Sequence, residues 1–181
     1  MVDILDIREE HVEGFRDALD AVSREKRYLA WTEAPTLESA RIFVLGNIQQ
    51  GIPQVVAVDG QRVVGWCDIS PYGKPTMRHC GTLGMGVLES YRHQGIGTRL
   101  ITAALNRAKA RGLERVELEV FDSNVPAIDL YEKMGFSREG IKIASVRIDG
   151  VDFNTVQMAL FLKDFPRADQ LPAMEKTLPC G

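Results

Sequence analysis

Cysteine is scarce in this chain. There are three among 181 residues, Cys67, Cys80 and Cys180, an odd number with no C-x-x-C pair. That spacing fits neither a disulfide framework nor a zinc site and suits thiols kept reduced in a cytoplasmic protein. No apolar run approaches the roughly 20 residues that a membrane span requires. The opening MVDILDIREEH also lacks the basic-then-apolar pattern of a signal peptide, so no membrane association is expected. Positive charge is not in excess either. A net charge of −3 argues against a dedicated nucleic-acid binder, whose surface is normally basic. No His/Cys/Asp cluster has metal-ligand spacing, and no metal is expected. Repeats and low-complexity stretches are missing as well. What remains is 45% hydrophobic and 26% charged, the composition of one ordinary domain with apolar residues enough for a core.

Periodicity and turn residues divide the chain into alternating elements. Val2–Ile7 reads as a short strand, and Glu9–Tyr28 as an amphipathic helix with Val12, Phe15, Leu19 and Val22 at helical spacing. A loop rich in aromatics (YLAWTEA, Tyr28–Ala34) precedes a second helix, Leu37–Gln50, with Thr36 ahead of it and Gly51 as its stop. Gln54–Val58 and Arg62–Ser70 flank Asp59-Gly60, a strong hairpin signal. His79–Leu88 is a strand candidate containing Gly81, Gly84 and Gly86, and glycine inside a strand often marks close approach by something else. Helix Gly97–Arg111 carries one apolar stripe and ends at Gly112. Arg115–Phe121 alternates like a strand, a short helix capped by Asn124 runs to Met134, and Ile141–Ile148 and Val151–Leu162 pair across Asp149-Gly150. The order is β-α-α-β-β-β-α-β-α-β-β, a mixed α/β sheet. Residues 1–165 are expected to form one domain, and residues 166–181, with three prolines, a poorly ordered tail.

The chemistry concentrates in Gly84–Leu100, GMGVLESYRHQGIGTRL. A strand, a turn holding Arg92-His93-Gln94-Gly95-Ile96-Gly97 and an immediate long helix aim free backbone N–H groups and the positive end of a helix dipole at one point. Gly95 and Gly97 remove β-carbons that would keep an anion away. A pyrophosphate-binding loop is the physical reading, and a plain glycine turn before a helix is the alternative that residues alone leave open. The Gly-Lys-Ser/Thr ending of a P-loop is missing, and no G-x-G-x-x-G follows the first strand.

This stretch closely resembles the acetyl-CoA signature of the GNAT superfamily of N-acetyltransferases, a strand followed by Q/R-x-x-G-x-G/A and a helix, here Arg92, Gly95 and Gly97. The resemblance continues through N-x-x-A-x-x-x-Y-x-x-x-G-F, from Asn124 to Phe136, and the element order fits over about residues 2–162. It implies a mixed, mostly antiparallel sheet of six to seven strands flanked by helices, with acetyl-CoA as co-substrate. It places the pantetheine arm along Met85, Gly86 and Val87, and the pyrophosphate over the amides of His93, Gln94, Gly95, Ile96, Gly97 and Thr98. Asn124 would bond the cofactor arm or serve as a helix cap. Tyr131 would be the general acid that protonates the CoA thiolate; periodicity alone reads it as a core residue. Glu119 stands where ribosomal-protein alanine acetyltransferases of this superfamily carry a glutamate base in a similar L-E-V-x-x-S-N run. Glu117, on the same strand face, is the other candidate. Relatives also suggest a homodimer through an exposed last strand or the tail.

For the acceptor end, Tyr28, Trp31 and Glu33 in the first loop, with Trp66 and Asp68 on a central strand, offer aromatic walls and carboxylates suited to an amine. Trp66 reads more readily as a core residue, and His79 and Cys80 as structural ones. The expected function is transfer of acetyl from acetyl-CoA to a small amine or amino acid. A protein N-terminus as acceptor, or a non-catalytic acyl-CoA-binding module, are the alternatives.

Overall fold

Seven strands form a single sheet in the order β1-β2-β3-β4-β5-β7-β6 in the computed structural model, which describes residues 1–165. The strands are β1 (Val2–Asp6), β2 (Gln54–Asp59), β3 (Arg62–Pro71), β4 (Cys80–Val87), β5 (Arg115–Phe121), β6 (Ser137–Ile148) and β7 (Val151–Phe161). Four α-helices accompany them: α1 (Val12–Arg24), α2 (Leu37–Gln50), α3 (Ile96–Ala110) and α4 (Val125–Lys133). The tail expected to be poorly ordered lies outside the described residues. No described helix is long and apolar enough to cross a membrane.

Every neighbouring pair is antiparallel except β4 and β5. A parallel pair needs a crossover, which α3 supplies. Its stripe of Leu100, Ile101, Ala104, Leu105 and Ala108 is fully buried, which anchors the helix to the sheet. Neighbouring residues of β3 show which helix covers which face. A β-carbon on Gly65 would meet Leu100 of α3, whereas Trp66 packs edge-on against Phe15 of α1 at 5.8 Å. Thus α3 and α4 cover one face and α1 and α2 the other.

Two boundaries differ from the sequence reading by as much as four residues. The first helix ends at Arg24 rather than Tyr28, because Lys26 turns left-handed (φ 53°) and sends the chain towards the middle of the sheet. The sixth strand starts at Ser137, four residues earlier than Ile141, because pairing with β7 begins directly after the Gly135 turn. Register shifts between Arg138 and Gly140 and between Lys142 and Val146, with Ala144 at φ 49°, break the alternation by which a strand is recognised in sequence.

Candidate active site

The parallel pair is short. Cys80, Gly81 and Thr82 of β4 pair with Arg115, Val116 and Glu117 of β5, and beyond them the strands separate. The rest of β4 keeps one edge on β3 and leaves the other without a strand partner. A cavity of about 360 Å³ fills the opening. Val22, Tyr28 and Leu29 line it from the α1 side, and Met85, Gly97, Ala127, Leu130 and Tyr131 from the other, so it passes through the sheet.

Its floor at the front of α3 is made of backbone. The Arg92 amide bonds the Glu89 carbonyl at 3.2 Å, and the next amide with a main-chain acceptor is that of Arg99, on Gly95 at 3.2 Å. The six intervening N–H groups, His93 to Thr98, have no acceptor among the described residues. His93 (φ 61°) and Gly95 (φ 76°) are both left-handed, which curls this run into a nest ahead of a 15-residue helix. A run of free donors and a helix dipole suit a pyrophosphate, and the open β4 edge beside them suits an amide-bearing arm. The residues present therefore fit coenzyme A.

Several side chains have other tasks than their sequence context implies. Arg92 does not offer its charge to the nest. It makes two bonds to Glu25 (2.8 and 2.5 Å), donates to the Val87 carbonyl at 2.9 Å and lies 4.7 Å over the Tyr28 ring, tying the chain after α1 to the loop before α3. Gln94 bonds Ser90 at 3.0 Å, and the Ile96 side chain is buried, so these two contribute amides. Gly86 is glycine because of Trp66, whose ring would lie 2.3 Å from a β-carbon there. At Gly97 a β-carbon would press on Leu130 at 3.0 Å. Both glycines serve packing before they serve a ligand.

Tyr131 is held on α4 with its ring 5.8 Å from Phe136, and it is 7% exposed. Its hydroxyl bonds no described residue, and burial, with a smaller contribution from Cys67, pushes the phenol well up. It stays protonated at neutral pH, as a proton donor must. Asn124 caps α4, accepting from the Ala127 amide at 3.3 Å, and also lines the cavity.

Register fixes the acceptor side. Asp68 pairs with Gly84 and Thr82 with Glu117, so Asp68, Gly84, Thr82, Glu117 and Glu119 share the α1 face. Glu119 lines the cavity but is ion-paired with Lys142 and receives a bond from Thr155 at 3.3 Å. Glu117 accepts from Tyr72 and from Arg115 and lies off the cavity wall. Among the loop candidates Tyr28 reaches the cavity. Trp31 is 59% exposed and off its wall, and Glu33 sits 3.8 Å from Arg24 at the surface. The structure corrects the reading of Trp66 as an acceptor contact: it is 3% exposed and walled in by Phe15 and Gly86. Val22, Leu29 and Leu130 were not anticipated as cavity residues, since apolar side chains at helical spacing carry no mark that separates a cavity wall from a core. No group of described residues could hold a metal ion.

The sequence profile of the acetyltransferase (GNAT) family matches residues 7–136, most of the chain and all of the opened strand pair. The chain belongs to that family. An N-alpha-acetyltransferase of Sulfurisphaera tokodaii is 42% identical over 93 residues, 45% of this chain and 54% of the relative. The L-amino acid N-acetyltransferase AaaT of Escherichia coli is 35% identical over 92 residues, 50% of this chain and 56% of the relative. The chain thus spans about half the length of these relatives. In fold it is similar to a GNAT superfamily phosphinothricin acetyltransferase from Sinorhizobium meliloti in complex with acetyl-CoA. The TM-score is 0.83 with 18% identity, covering 88% of each chain.

Proposed function

We propose that this GNAT protein is an acetyl-CoA-dependent N-acetyltransferase whose acceptor is a small primary amine or amino acid. One observation carries the reading: in a run of six consecutive amides without an acceptor among the described residues, His93 to Thr98, four residues (His93, Gly95, Gly97 and Thr98) line the same cavity as the buried phenol of Tyr131. The nest holds the pyrophosphate, and along Met85–Val87 the outward main-chain groups of Met85 and Val87 hold the arm that brings the thioester to the gap between β4 and β5, while Gly86 turns its own to β3. Approach of a neutral amine from the α1 face completes a near-attack arrangement, so proximity supplies much of the rate. As the C–S bond breaks, Tyr131 donates a proton to sulfur. Burial raises a thiol as it raises a phenol, which keeps the two close enough in acidity for that transfer.

Around the acceptor, Tyr28 and Leu29 form an apolar wall, and Glu119 supplies an orienting carboxylate whose charge is already shared with Lys142. A cavity of only about 360 Å³ favours a small acceptor over a protein chain. The names of the amino-acid and phosphinothricin acetyltransferases among similar proteins point the same way. A non-catalytic binder would have no use for an unpartnered phenol at the gap. The free thiols of Cys67 and Cys80 fit a cytoplasmic setting, and exposed Ile141 and Ile143 on β6 offer the surface for a homodimer. Thiol release from acetyl-CoA with a panel of L-amino acids, polyamines and N-terminal peptides tests the reading. Turnover with small amines and none with peptides is expected. Binding of acetyl-CoA without turnover on any amine would refute it.

A further inference from the structure

Of the carboxylates around the gap, three are already held by cations: Glu25 by Arg92, Glu117 by Arg115 and Glu119 by Lys142. Asp68 is not. Its one hydrogen bond is a long one, 3.5 Å from the Ser70 hydroxyl. Directly opposite it on the sheet stand Gln54 of β2 and Gly84 of β4, and its neighbours on the same face of β3 are Trp66 and Ser70, none of them charged. The next charged groups on this face, Glu117 and Glu119, belong to β5 across the gap and are neutralised by their own partners. A carboxylate sunk between strands without a counter-ion is costly, and folding alone gives no reason to keep it. Gly84 supplies the reason. It forms part of the cavity wall, and a β-carbon there would lie 3.5 Å from Asp68 Oδ1 and 3.8 Å from Oδ2. Asp68 is not itself on that wall; it lies directly behind Gly84, where a hydrogen in place of a side chain lets the carboxylate come close to the cavity.

We infer that Asp68 is the residue that receives the acceptor amine, pairing with its ammonium form and removing the proton before attack. The inference rests on the acetyltransferase reading and assigns its proton acceptor to β3 rather than to Glu119. The carboxylate takes one proton from R–NH3⁺ to leave R–NH2. The nitrogen lone pair then forms the C–N bond, and the electrons of the breaking C–S bond pass to sulfur, which takes the Tyr131 proton. The second nitrogen proton returns to the Tyr131 oxygen through water, and Asp68 releases its own to solvent. The sum is acetamide, free thiol and one H⁺. Burial, opposed weakly by Ser70, lifts the Asp68 carboxyl to about 7. That is the range in which a base accepts a proton from an amine and passes it on.

Asp68→Asn keeps shape and removes the base. With α-amino acids as acceptors, kcat/KM at pH 7 should fall about 100-fold. The deficit should shrink by about tenfold or more at pH 9, where a far larger share of the acceptor amine is already unprotonated in solution. Acetyl-CoA affinity should stay at the wild-type value, and Tm should hold or rise, because a desolvated carboxylate is removed. Gly84→Ala, which places a methyl group between the carboxylate and the cavity, should raise the acceptor KM and leave acetyl-CoA affinity unchanged. Retention of wild-type kcat/KM by Asp68→Asn at pH 7, or an equal deficit at pH 7 and 9, would overturn the assignment while leaving the transferase reading intact. Absence of turnover by the wild-type protein on every amine would remove both.

Discussion

Removing one oxygen from Tyr131 separates chemistry from binding and from folding. The Tyr131→Phe ring keeps its place against Phe136 and in the buried face of α4. The hydroxyl has no bond to a described residue, so its loss breaks none and relieves a desolvated dipole. Stability should therefore stay within about 1 kcal/mol of wild type, a Tm change below about 4 °C for a domain of this size. Acetyl-CoA affinity should also hold, because the proposed grip comes from the amides of His93 to Thr98 and the β4 edge. Turnover should not. Loss of a general acid typically costs about 10²–10⁴ in rate, or about 3–5 kcal/mol of barrier. Thiol release gives kcat, calorimetric titration with acetyl-CoA gives the affinity, and a melting curve reports the fold. A folded Tyr131→Phe protein with wild-type kcat would refute the assignment of the acid. The raised phenol adds a pH statement: wild-type activity should show no loss from Tyr131 ionisation up to about pH 10, since its proton leaves only above the ordinary phenol range.

Thr98→Glu tests the nest. A carboxylate in the first turn of α3 favours the helix by about 0.3–1 kcal/mol yet repels a pyrophosphate, so the protein should melt slightly higher while acetyl-CoA affinity falls at least tenfold; unchanged affinity would move the pyrophosphate elsewhere. Trp66→Phe tests the correction at the centre of the sheet. Loss of buried ring volume between Phe15 and Gly86 should cost about 2 kcal/mol, measured by melting or denaturant, with the acceptor KM unchanged. A raised KM at full stability would return Trp66 to the acceptor wall.

How much of this was legible beforehand follows from the range of the forces involved. Local signals placed the elements and the nest. Glycine at 95 and 97, an apolar period of 3.6 behind them and the residues from Asn124 to Phe136 act within a few residues of one another, so spacing alone reports them. The two most displaced boundaries lie where a left-handed residue, Lys26, or a register shift, between Arg138 and Gly140, interrupts the period. Side-chain roles were less legible. Arg92 in the signature turn reads as a phosphate contact until Glu25, 67 residues away, is seen to hold it. Trp66 and Gly86 look like two separate functional hints, and only strand register shows that one is the mould of the other.

Sequence by itself determined the family, the order of strands and helices, and the stretch of free amides, because each is written in residues that are neighbours along the chain. Tertiary structure decided which carboxylate is left without a cation. Glu25, Glu117, Glu119 and Asp68 are alike as letters; Glu117 pairs with Arg115 two residues along its own strand, but Glu25 and Glu119 find Arg92 and Lys142 only when distant elements fold together. An ion pair depends on distance through space, which no spacing along the chain encodes.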